Sequence, residues 1–134
     1  MFRRRDGRMD PKARQVALQI GGTRVALGTA IFFATRPVLR AMRFEELDAT
    51  GVALAKLGGG RDIAIGALTL AARDDRERLR TVMLVSNLCD LADAAAFAYA
   101  TGDPRTRRPG IGGVLSGSAA ALAGFWAWRR LGDA

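Results

Sequence analysis

The sequence predicts an all-α membrane protein, a bundle of four transmembrane helices with both termini in the cytoplasm. Four apolar stretches, about residues 16–35, 54–72, 82–101 and 111–128, are divided by short connections rich in arginine, and roughly 20 apolar residues suffice to cross a bilayer. The third stretch, Val82 to Thr101, is apolar or small apart from Asn87, Asp90 and Asp93. On a helix Met83, Ser86, Asp90, Asp93 and Phe97 fall on one stripe, while Leu84, Val85, Leu88, Leu91, Ala92 and Ala95 cover the other sides. A helix with a polar inward seam and apolar outer faces suits a membrane better than water. Basic residues supply the orientation: twelve lie on the side of the two termini and the connection after the second stretch, against seven in the other two connections. That bias places both termini inside.

A chain of 134 residues has room for one domain of this kind. The net charge of +8 would also suit a nucleic-acid binder, but the basic residues lie between apolar stretches and no recognition motif is present, so the expectation is no nucleic acid. The single cysteine, Cys89, precludes an internal disulfide, and the chain has no histidine. The commonest zinc, haem and general-base arrangements thus lose their usual ligand or base, and neither a metal nor a cofactor is expected.

In chain order, residues 1–14 form a basic cytoplasmic tail, followed by a membrane domain over residues 15–131. Asp10 before Pro11 is a helix-start signal. The first span follows, interrupted only by Gln19 and Arg24, and reads as uncleaved because Thr35, Arg36 and Pro37 make a poor signal-cleavage site. Its small residues Gly22, Ala26, Ala30 and Ala34 suggest a seam for a neighbouring helix. Residues 36–56 fit either a short helix lying in the membrane interface, with Val38, Leu39, Met42 and Leu47 as its apolar face, or a plain connection turning at Thr50 and Gly51. Glu45, Glu46 and Asp48 lie there without forming a recognisable site.

The second span is apolar mainly from Ile63 to Ala72 and must extend back through Gly58, Gly59 and Gly60, which would bend or break a helix. These glycines are not a phosphate loop, since no strand precedes them and no Lys-Ser/Thr follows. Residues 73–80 are a charged loop. Residues 101–110 are a linker with two prolines. The last span opens with small residues, among them Ser116 and Ser118, which ease helix packing, and ends with Trp126 and Trp128 beside Arg129 and Arg130, an aromatic anchor at a membrane surface.

Arg24, Arg61, Asp62, Asp90 and Asp93 all fall near the middle of their spans. Facing lipid, each would cost about 2.5–3.5 kcal/mol on insertion scales, so the five are expected to face one another or water. Two positive and three negative groups leave one carboxylate without a partner charge, a candidate for a protonated acid. Ser86 and Asn87 would add hydrogen-bonding groups. Arg24, Arg61, Asp62, Asn87, Asp90 and Asp93 are therefore the candidate ligand-binding residues, with Asp90 and Asp93 the candidate catalytic acids; the bland counter-reading is an ionic clamp between spans. Cys89 has no histidine to activate it and reads as a small apolar residue. A faint internal echo, Ile20 to Arg24 (IGGTR) against Leu57 to Arg61 (LGGGR), slips by one position relative to the glycine that follows each. Chance similarity between glycine-rich apolar segments is the bland explanation; the other is a small inverted repeat.

GGGRDIAIGALTL, together with SNLCDLADAAAFAYA, resembles a family of small four-helix integral membrane proteins, domain of unknown function 4267. The resemblance rests on Arg61, Asp62, Gly66, Asp90 and Asp93, with Arg24 and Gly28 in keeping, while the triple glycine departs from the pattern. It implies a four-helix membrane fold and no assigned activity. The sequence supports three readings: an inner-membrane, multi-pass protein with a buried Arg/Asp cluster and room for a lipophilic ligand beside its lipid bilayer partner; an intramembrane enzyme acting on an isoprenoid-like or other apolar substrate; and a soluble basic helical bundle.

Overall fold

The lengths of the helices follow from where their ends are capped. In the computed structural model, which describes residues 9–45 and 47–133, Asp10 accepts hydrogen bonds from the backbone of Lys12 and Ala13 and starts α1, Pro11–Phe33. The first eight residues of the basic tail, and Glu46, lie outside the described residues. Asp48 caps α3, Ala49–Ala71, through Gly51 N–H. Asp75 caps α4, Arg76–Ala100, through Arg78 N–H. Each carboxylate meets the unsatisfied donors of a first turn. The short α2, Thr35–Ala41, and the long α5, Arg107–Asp133, complete an all-helical chain with no strand among the described residues.

Several boundaries differ from the sequence reading, and each difference has a local cause. Thr50 and Gly51 form no turn; they lie in the first turn of α3 because Asp48 caps it. Gly58, Gly59 and Gly60 do not break the helix, and no glycine among the described residues has a positive φ. Most of the 73–80 loop is helical, since Asp75 starts α4 there, and α5 takes in Arg107 and Arg108 of the supposed linker. The residues expected to form a loop or an interfacial helix contain both a helix and a connection: α2, with Leu39 buried, followed by residues 42–48.

The helices form two antiparallel pairs, α1 against α3 and α4 against α5, joined chiefly through α1 and α5. Within the first pair the approach is set by glycine. A Cβ on Gly28 would stand 2.6 Å from the carbonyl oxygen of Gly59, and one on Gly66 would stand 2.5 Å from that of Gly21. The buried seam of α1 is Ala13, Ala17, Gly21, Arg24 and Gly28, not the expected Gly22, Ala26, Ala30 and Ala34. Gly22 has nothing within 4 Å of its would-be Cβ, and Ala26 and Ala34 are exposed. The contacts also explain the slipped echo. Gly21 and Gly28 on α1, like Gly59 and Gly66 on α3, are seven residues apart, so the glycines repeat in register while the arginines differ by one position. The second pair follows the same rule, with Gly113 under Phe97 and Gly124 under Asn87.

Leucines cover the outside. Leu54, Leu57 and Leu68 on α3, Leu88 and Leu91 on α4, and Leu115 and Leu122 on α5 are all more than half exposed, whereas Arg24, Ser86, Asn87 and Asp90 are buried. This is the reverse of a water-soluble arrangement. Among the described residues three helices, α1, α4 and α5, are long and apolar enough to cross a membrane. Every 18-residue stretch of α3 contains Lys56, Arg61 and Asp62, yet α3 lies along α1 and shows leucine on its outer face.

Candidate functional site

Three helices bring their charged residues to one place halfway along the bundle. Arg24 on α1 is buried at 7 % exposure, and all three of its guanidinium nitrogens are used. Nε donates to the Ser86 hydroxyl at 3.0 Å, Nη1 to Asp62 Oδ1 at 2.6 Å, and Nη2 to both Asp90 Oδ1 and the Ser86 carbonyl oxygen. Arg61 on α3 makes a two-pronged contact with Asp93 on α4, at 3.0 and 2.6 Å. Its Nη2 also lies 3.5 Å from Asp62 Oδ1. Fork geometry of this kind gives the strongest arginine–carboxylate contacts.

All five mid-span ionisable residues therefore form one network, with Asp62 at its centre shared by both arginines. The expectation of a carboxylate without a partner charge is corrected: Asp62, Asp90 and Asp93 each contact an arginine. Sharing achieves this, because one guanidinium can serve two acids. Asn87 also departs from expectation. Its amide oxygen and nitrogen are buried without a hydrogen-bond partner, and it sits against Gly124 on α5. Arg61 Nε and Asp90 Oδ2 are likewise buried and unpartnered. Cys89 is a half-buried free thiol on α4.

The network has a wet side and a dry side. Arg61 and Asp93 keep about a third of their side-chain surface, 38 % and 34 %, whereas Arg24 and Asp90 keep 9 % each. What exposes the first pair is a cavity of about 380 Å³ between the two helix pairs. Arg61, Asp62 and Asp93 form its polar floor, and its walls include Leu27, Ile31, Leu54 and Phe97. Gly58, Gly117 and Ser116 also line it; small side chains there leave the volume open. Ser116 donates to Gly113 O at 3.2 Å, so its hydroxyl is partly satisfied within its own helix. The sequence reading missed Gly58 and Ser116 as cavity residues, because absence of bulk marks a cavity only once the facing helix is known.

Away from the cavity the bundle closes. Ala13, Ala17, Leu79, Met83, Ala127 and Leu131 have no exposed surface. Arg76 donates to the carbonyl oxygens of Leu131 and Gly132 at 2.6 and 3.0 Å, satisfying the last turn of α5. Arg80 lies over the Trp128 ring at 4.9 Å.

Comparison with known protein families, with curated proteins and with solved structures finds no match to this chain.

Proposed function

We propose that this chain is a four-span protein of the cytoplasmic membrane, with both termini inside, and that its cavity binds a small lipophilic ligand over the Arg61–Asp62–Asp93 floor. The observation that carries the reading is the cavity itself: apolar walls, a polar floor at mid-bundle, and a volume of about 380 Å³. Small-molecule sites occupy roughly 300–1,000 Å³ and combine apolar walls with a few fixed polar groups. Outward leucines on α3, and its full-length pairing with α1, support a fourth span despite its three charges. Arg61 and Asp62 face inward to the network, so neither meets lipid. The resemblance to domain of unknown function 4267 belongs to the same proposal.

The catalytic reading has less behind it. A general acid must hold a proton and reach a substrate; Asp93 is gripped at both oxygens by Arg61, and Asp90 does not line the cavity. The soluble reading would leave at least seven leucines in water.

Two measurements test the proposal. After a carbonate wash the protein should stay in the membrane fraction; release would end the membrane reading. Native mass spectrometry of detergent-purified protein should find a retained small molecule. Gly58→Phe should abolish retention, since position 58 lines the cavity and has nothing within 4 Å of its would-be Cβ. Equal retention by this variant would show that the cavity is not the site.

A further inference from the structure

A second hollow, which shares Phe44 with the apolar cavity, has the opposite character. Arg40 and Arg43 from the end of α2, and Arg105, Arg107 and Arg108 from the start of α5 and the connection before it, line a space of about 760 Å³ together with Glu45. Among the described residues, Arg40, Arg43, Arg107 and Arg108 form no ion pair. Arg107 Nε donates at 3.4 Å to Thr101 O. In the four-span topology these arginines lie on the outer side, against the usual inward bias of basic residues. Their clustering therefore calls for a reason other than orientation.

Arg43 supplies a second, independent observation. It is the one non-glycine with positive φ among the described residues, at 70°. Its N–H bonds Arg40 O at 2.9 Å, and Phe44 N–H bonds Leu39 O at 3.0 Å, the pair of bonds by which helices commonly end on a left-handed glycine. A Cβ in that conformation is strained, and glycine is the usual solution. Strain retained where a simple substitution would remove it points to a use for the side chain. Phe44, the next residue, lines both the hollow and the cavity, so the two spaces share one wall residue.

We propose that the ligand of the cavity is a phosphate-bearing lipid, with its chain among Leu27, Ile31, Leu54 and Phe97 and its phosphate in the arginine hollow; this rests on the cavity being a ligand site. A carboxylate offers one charge and two oxygens. A phosphate monoester carries up to two charges and three terminal oxygens, which several guanidinium groups can share. A choline-type head would bring a further cation among the arginines and is disfavoured.

The test is a native mass spectrometry titration of the full chain in neutral detergent, with dioctanoyl phosphatidic acid as the probe. Dioctanoylglycerol, the same chains without phosphate, and inorganic phosphate are the two comparison arms. Phosphatidic acid should bind at least about tenfold more tightly than either, the scale of a charge-assisted bond or more. Arg43→Gly, which suits the left-handed turn and so keeps the fold, should weaken its binding by about tenfold, and Arg108→Gln by a similar factor. Gly58→Phe should weaken phosphatidic acid and dioctanoylglycerol alike. Unchanged affinity in both arginine variants would overturn the head-group assignment while sensitivity to Gly58→Phe upheld the cavity. Sensitivity to the arginine variants with none to Gly58→Phe would overturn the cavity reading and this one with it. Inorganic phosphate binding as tightly as phosphatidic acid would make the hollow an anion site with no lipid role, and also overturns the proposal.

Discussion

The two ends of the bundle are built from the same four long helices and come out opposite. At the end holding the start of α1 and the close of α5, alanines on α1 and α5 meet Leu79, Met83 and Leu131, and none of them keeps exposed surface. At the other end Gly58, Gly59, Gly113 and Gly117 line a cavity that no large residue fills. Small residues at a helix crossing draw backbones together, as Gly28 and Gly59 do. Small residues facing a gap that other contacts hold open leave it empty. What holds the gap is the ionic network, in which Arg24 and Arg61 span from the first helix pair to α4.

That contrast predicts a ranking of substitutions. Arg24→Leu should be the most damaging, leaving Asp62 and Asp90 with less compensation in a dry interior; breaking a buried pair costs about 3–5 kcal/mol, read as a shifted midpoint in denaturing-detergent unfolding. At the closed end, Met83→Ala should lose about 2–5 kcal/mol through the cavity it opens; if the loss is no greater than that of Leu54→Ala at the open end, the two ends do not differ in packing. Gly28→Ala should cost about 1–3 kcal/mol by overpacking, because its Cβ would stand 2.6 Å from Gly59 O. Gly22→Ala, with open space around it, should gain up to about 1 kcal/mol of helix propensity.

The smallest effect lies at the exposed edge of the closed end. Hydrogen bonds from Arg73, and then Arg14, hold the Asp74 carboxyl below the usual carboxylate range. A depressed folded-state value means that its contribution is present at neutral pH and is lost as pH falls below about 4. Asp74→Asn should therefore slightly lower stability at neutral pH and converge with the unmodified protein below about pH 4, seen in unfolding midpoints across a pH series.

Much of the site could be read in the residues. Asp90 and Asp93 on one stripe of an apolar segment, and Arg24, Arg61 and Asp62 at matching depth, are periodicity and counting. Less could be read of the seam, where Gly22 and Gly21 are neighbours of identical chemistry and only the position of Gly66 and Thr69 across the crossing separates them. Asn87 shows the same limit: it lies beside Ser86 in sequence but against α5 in space. The helix through Gly58–Gly60 escaped prediction because local glycine cost was set against a pairing with α1 that only the folded chain supplies.

By itself the sequence determined the four apolar stretches, the capping carboxylate Asp10 and which stretches carry charge, because hydrogen bonding within a turn and a repeat of 3.6 residues are local properties. The tertiary structure decided which glycines touch, which arginine serves which acid, and where space remains. Those outcomes depend on the axial register of one helix against another, and register is fixed by closest approach between residues far apart in the chain.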